Sequence, residues 1–170
     1  MPSVQSATVL DYGSIRPGPE PAGLSAASSV HDVIPPVAER LYQLGHGRGF
    51  AGQRTDYDSR SITVHWSGTV PSEVRSYIAS KPYGVDVAVV TGARYSRAQT
   101  WAARDRVLNS PVADRLGIVK VSAPYDGRGV VVGVKGQAPL THSMVNSLKS
   151  VAGIDGVEVR YGAREAIGYA

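Results

Sequence analysis

Cysteine is absent from the 170 residues. That removes disulfides, thiolate-ligated zinc and thiol nucleophiles together. Phenylalanine occurs once, beside two Trp and nine Tyr, so a core must rest on Val, Ile, Leu and Ala. No apolar run approaches the ~20 residues that a membrane-spanning helix needs, so no membrane partner is expected. The stretch Met1 to Asp11 carries neither a basic cluster nor a sustained apolar segment, and it is not expected to act as a signal peptide. Blocks of like charge are also missing. The arginines are scattered among carboxylates, so the net charge of +4 reads as a solvated surface, and nucleic acid is not an expected partner.

The usual marks of catalysis are missing too. The four histidines, His31, His46, His65 and His142, are far apart in sequence. None has a second histidine at helical metal-ligand spacing, so no metal and no cofactor is expected. Neither a Gly-x-Ser-x-Gly elbow nor a phosphate-binding loop ending in Gly-Lys-Ser/Thr occurs. The chain is read as having no catalytic residues and as not being an enzyme. His65 reads as a solvent-facing strand residue and His46 as a turn residue. Asp56 and Asp58 read as turn formers, and Trp66 and Trp101 as core or half-buried packing.

What is present is a pattern of short elements. Residues 1–29 are rich in Pro, Gly, Ser and Ala and read as a flexible segment, with Val9 and Leu10 as a lone apolar patch. From Val30, the positions Val33, Val37, Leu41 and Leu44 fall on one helical face. Asp32 is placed to cap this helix, and Pro35-Pro36 suits its first turn. Two later stretches then repeat each other. Tyr57-Asp-Ser-Arg-Ser-Ile-Thr-Val-His-Trp-Ser-Gly-Thr-Val-Pro71 aligns without a gap on Tyr125-Asp-Gly-Arg-Gly-Val-Val-Val-Gly-Val-Lys-Gly-Gln-Ala-Pro139, with 6 of 15 positions identical and a constant offset of 68.

In each copy an Asp (Asp58, Asp126) and the two residues after it make a hairpin turn. Strands are expected before it, at 50–55 and 118–123, and after it, at 62–66 and 130–134. Gly68 and Gly136 stop the second strand, and Pro71 and Pro139 lead into helices over 72–80 and 140–152. Closing strands follow over 85–90 and 157–161. The fold class is therefore α+β: duplicated β-β-α-β units with antiparallel sheets covered by helices. Ser96 caps a helix between the copies, interrupted at Pro111 and ended by Gly117, which is expected to bridge the halves. The resulting organisation is an N-terminal segment (1–29), a helix with the first unit (30–92), the bridge (93–117), the second unit (118–162) and a tail (163–170).

Several short motifs carry a family likeness. Gly49-Phe-Ala-Gly-Gln-Arg-Thr-Asp-Tyr-Asp58, the strand end Val64-His-Trp-Ser-Gly68, Tyr95-Ser96 at a helix start, and Asp126-Gly-Arg-Gly before a valine strand resemble the N-terminal prodomain of secreted actinobacterial chymotrypsin-like serine proteases, of the α-lytic protease and streptogrisin type. The likeness spans about residues 36–162. It implies a folding chaperone and inhibitor, secreted, whose partner is a serine protease domain. Carried over by position, the partner-binding residues it implies are Val157, Val159 and Tyr161 on the last strand and Arg164, Ile167, Tyr169 and Ala170 in the tail. Strand addition would supply the main-chain hydrogen bonds. The proline-rich N-terminus departs from the pattern. The alternative is a structural or assembly protein that binds copies of itself or other subunits of a larger particle, with an N-terminal arm that orders on its neighbours.

Overall fold

The computed structural model describes residues 22–164. The patch Val9–Leu10, most of the Pro-rich segment and the tail residues Ile167, Tyr169 and Ala170 lie outside the described residues. Of the segment expected to be flexible, residues 22–29 are placed: Leu24 packs against the first core, and Ser29 caps helix α1 (Val30–Gly45) by accepting from the amide of His31. Ser29 thus takes the role assigned to Asp32, because the helix begins one turn earlier than the prolines implied. Pro35 and Pro36 lie inside α1. The amides they lack would have reached the carbonyls of His31 and Asp32, which are exposed residues that water can serve.

The apolar stripe of α1 drives the first unit together. Val33, Ile34, Val37 and Leu41 are buried with Phe50, Ile62, Val64, Trp66, Val74 and Val85. The sheet beneath consists of β1 (Phe50–Asp56), β2 (Ser61–Trp66) and β3 (Asp86–Thr91), with β2 central and α2 (Ser72–Ala79) crossing from β2 to β3. The second unit repeats this plan with β4 (Ile118–Ser122), β5 (Val130–Val134), α5 (His142–Ala152) and β6 (Val157–Tyr161). Its core joins Val121, Val130, Val132, Val134, Leu148 and Ala152. The first two strands of each sheet pair antiparallel, and the third runs parallel to the second. The sheets are therefore mixed rather than antiparallel throughout. A helix that carries the chain back along the sheet returns it to the end where β2 or β5 began, and the next strand must then run the same way.

The duplication extends to irregularities. Both hairpins carry a bulge at the same place, Ala51 between the pairs Phe50–Trp66 and Gly52–His65, and Val119 between Ile118–Val134 and Lys120–Gly133. The turns differ in detail. Asp126 accepts from the amide of Arg128, as the repeat implies, but in the first turn the acceptor is Asp56, which bonds the amides of Asp58 and Ser59.

The helix between the copies is two helices, α3 (Arg97–Leu108) and α4 (Pro111–Leu116), broken at Pro111 and stopped at Gly117. Ser96 and Gln99 close a capping box on α3. Ala103 and Val107 of α3 and Val112 and Leu116 of α4 belong to the second core. So α3 packs mainly on the second unit, touching the first at β1. It stands to that unit as α1 stands to the first, and the repeated unit is α-β-β-α-β.

Candidate functional site

The last strand is where the family likeness implies partner binding. In β6, alternation sends Val157 and Val159 inward, where they pack against the second core. Tyr161 lies over the start of α5 and is 40% exposed, its hydroxyl accepting from the amide of Leu140. Glu158 and Arg160 face the other side. The side chains of Val157 and Val159 are thus committed to the fold, and what β6 can offer a partner there is backbone. In the ladder with β5 the amide of Val130 bonds the carbonyl of Gly156. In a parallel pair, bonding groups alternate along the strand. Glu158 and Arg160 therefore direct their backbone to β5, while Val159 and Tyr161 direct theirs to the free edge; the amide of Val157 is already bonded to the carbonyl of Asp155 at 2.9 Å. β6 ends its sheet, and no further strand pairs with it among the described residues.

Charge on this edge is mixed. Arg160 donates to Glu158 at 2.8 Å, and Arg128 stands 3.9 Å away. The hydrogen bond from Arg160, helped by both guanidinium charges, holds the Glu158 carboxyl below its ordinary range. These groups are exposed, so the pair fixes local geometry more than stability. Arg164, the one tail residue of the implied set within the described region, is exposed.

The route by which the chain leaves β6 has a counterpart in the first unit. Gly92-Ala-Arg94 follows β3 and Gly162-Ala-Arg164 follows β6. The amide of Ala93 bonds the carbonyl of Trp66, and the amide of Ala163 bonds that of Val134; those acceptors are equivalent in the repeat. In the first unit this exit is the joint to the second. Tyr95 donates its amide to the carbonyl of Gly127, and its hydroxyl accepts from the amide of Gly156. Arg94 pairs with Asp155 at 3.7 Å. The turn of the second hairpin lies on the face of the first sheet, with Tyr125 against Gly52 and edge-on to His65. His65 is thus a seam residue, not a solvent-facing one.

Between α1 and α3 lies an open groove of about 350 Å³ lined by Tyr42, His46, Arg97, Ala98, Trp101 and Asp105. Arg97 stacks on both Tyr42 and Trp101, and Arg104 also stacks on Trp101. Trp101 is 41% exposed. It is held by cations at the surface and not in a core, whereas Trp66 is fully buried, with its indole N–H donating to the carbonyl of Thr69. Among the described residues no group of three or more His, Asp or Glu is placed to hold a metal, and no helix is long and apolar enough to cross a membrane.

Neither protein-family models nor curated proteins match this chain. The site therefore rests on its own geometry. Reading the sequence by motif missed Tyr95, His65 and Trp101 as contact residues. The recurring Gly-Ala-Arg was the signal for the first; the other two depend on which elements meet in space.

Proposed function

We propose that this chain is a protein-binding module of prodomain type, a folding chaperone and inhibitor of a chymotrypsin-like serine protease, with no catalysis of its own. One observation carries the reading. A short edge strand, β6, presents the carbonyl of Val157 and the backbone groups of Val159 and Tyr161 outward and runs directly into the segment that follows Arg164. An open edge of this kind is a template for another strand. The motif likeness supplies the class of partner. Val157 and Val159 hold the strand in place through the core. Arg164, Ile167, Tyr169 and Ala170 would then lie along the partner's cleft in the manner of a substrate.

The test is a titration of the whole chain against several bacterial chymotrypsin-like proteases, reading residual activity. Stoichiometric inhibition is expected, weakened when residues 164–170 are deleted. It is also expected to weaken in Val159→Pro, which removes an outward amide on an edge strand where proline is sterically tolerated. If a folded chain inhibits none of them and forms no complex on size exclusion, the protease reading fails. Concentration-dependent light scattering under the same conditions would then favour self-assembly.

A further inference from the structure

Each sheet has two edges, β1 and β3 in the first and β4 and β6 in the second. Charged side chains and bulges keep natural edges from pairing. β1 carries Arg54, Asp56 and a bulge at Ala51, β4 carries Lys120 and a bulge at Val119, and β6 carries Glu158 and Arg160. β3 is guarded by neither device. Its one charge, Asp86, stands at its start and is paired with Lys81 at 2.8 Å. From Val87 to Ala93 there is no charge and no proline. Its register with β2 runs unbroken from Asp86 to Thr91, and no further strand pairs with it among the described residues. The amide of Asp86 bonds the carbonyl of Arg60. Asp86, Ala88 and Val90 therefore turn their backbone to β2, while Val87, Val89 and Thr91 turn theirs outward. Ala26 covers Gly84 just before the strand, whereas a Cβ on Gly92, just past its end, would meet nothing within 4 Å.

From this unguarded edge we infer that β3 is a self-association surface, pairing antiparallel with β3 of a second copy of this chain so that two three-stranded sheets become one. A two-fold axis at Val89, normal to the sheet, sets the register. Val89 then faces its own counterpart, Val87 faces Thr91, and Ala88 faces Val90. Every outward residue meets another outward residue, and the pairs exchange about six hydrogen bonds. The side chains match as well. Val87 and Val89 pack against the first core, so their pairing carries that core across the axis. On the other face Val90, 45% exposed, comes to lie beside the exposed Ala88. Apolar cross-strand pairs of this kind stabilise a sheet.

The lack of charge selects the occupant. A strand with charged side chains would set them against Ala88 and Val90, or against the core face, with no opposite charge on 87–91 to receive them. β3 itself brings none. The pairing also leaves out the start of the strand, where Ala26 and the Lys81–Asp86 pair lie. Because the axis closes one β3 edge on the other, assembly by this surface stops at two copies. β6 belongs to the other unit and stays free in each copy, so the inference goes beyond the protease reading and does not depend on it.

The test is sedimentation of the whole chain from micromolar to millimolar concentration, with amide hydrogen exchange read at both ends of that range. A reversible monomer–dimer equilibrium is expected, with the amides of Val87, Val89 and Thr91 protected only where the dimer forms. The double variants Ala88→Lys/Val90→Lys and Ala88→Glu/Val90→Glu alter exposed positions and set like charges directly opposite each other across the axis. Each alone should dimerise about tenfold more weakly, or worse. An equimolar mixture of the two should regain association as a mixed dimer, which a loss of folding could not produce. A chain that stays monomeric throughout overturns the inference. So does protection of the three amides in the monomer, which would mean that another part of the same chain, residues 1–21 included, occupies the edge. Protection that grows with concentration at Val159 and Tyr161 instead, or growth beyond two copies, overturns it as well. Both double variants should respond to the protease panel as the unaltered chain does, so a failure of either claim leaves the other standing.

Discussion

Gly127 shows how much of the molecule turns on a single missing methyl group. Its φ of +69° already disfavours any other residue, and an added Cβ would meet backbone at Tyr95 and the side chains of Ala51 and Ala93. Gly127→Ala should therefore cost about 2–4 kcal/mol, the sum of the conformational and overpacking penalties, read as a lower urea midpoint. A loss below about 0.5 kcal/mol, within the range of neutral surface changes, would mean the seam is loose. Tyr95→Phe removes the acceptor of the half-buried amide of Gly156 and should cost about 1–2 kcal/mol. Charged residues add a pH dependence of defined sign. Asp56 is held below its ordinary value of 3.8, chiefly by the amide of Ser59. Glu73, chiefly through its own backbone amide and then Arg48, and Glu158, chiefly through Arg160, are held below 4.5. A depressed folded-state value means the stabilisation is complete above these ordinary values and is lost as the pH falls below them. Thermal midpoints should thus decline in acid, and the Asp56→Asn variant should decline less. The repeat pointed to an Asp in each turn because the residue type is shared. It could not say that Asp56 replaces Asp58 in the first, since an Asp carboxylate reaches amides two or three residues ahead and either residue is so placed within the turn: Asp58 for Arg60, as Asp126 for Arg128, and Asp56 for Asp58 and Ser59.

Elements were legible where local chemistry alone decides them. The valine runs at 130–134 and 157–161 form strands over those same residues, because β-branched side chains suit a pleat and the flanking glycines stop it. Strand direction was not legible. Alternation says that a strand exists and which face is buried, but the direction of β3 and β6 is set by the crossover through α2 and α5. The free edge of β6 follows from the same topology, and so does the inward turn of Val157 and Val159. Helix α3 is the element most dependent on its ends. Its buried residues are only Thr100, Ala103 and Val107, so packing drives it weakly and the Ser96–Gln99 box contributes a large share. Ser96→Ala should destabilise the chain by about 1 kcal/mol. Calorimetry checks this, and an unchanged midpoint would mean that contacts with α5 carry the helix without its cap.

At the scale of the molecule, two cores share one seam. Sequence comparison finds the duplication from Tyr57 and Tyr125 onward but not that α1 and α3 are also equivalent. A helix needs only an apolar face, which Val37 and Leu41 supply in one copy and Ala103 and Val107 in the other. A turn fixes particular residues and so keeps identity. The seam itself joins groups distant in sequence, through Arg94, Tyr95, His65 and the turn at Gly127, and only the folded chain brings them together. Whether that seam makes the units unfold as one is measurable, because Trp66 is buried in the first core alone. In Trp101→Phe, fluorescence follows Trp66 and therefore the first unit, while far-ultraviolet dichroism follows both. The hydrogen bonds of Tyr95 to Gly127 and Gly156 tie the hairpin of the second unit to the exit of the first, so opening either unit exposes the other's seam. The two signals should give coincident urea transitions, as two-state unfolding requires. Adding Gly127→Ala should separate them, the dichroism transition broadening to lower urea while the Trp66 midpoint moves less. Non-coincident transitions before that substitution would show that each core is stable by itself and that the seam adds little coupling.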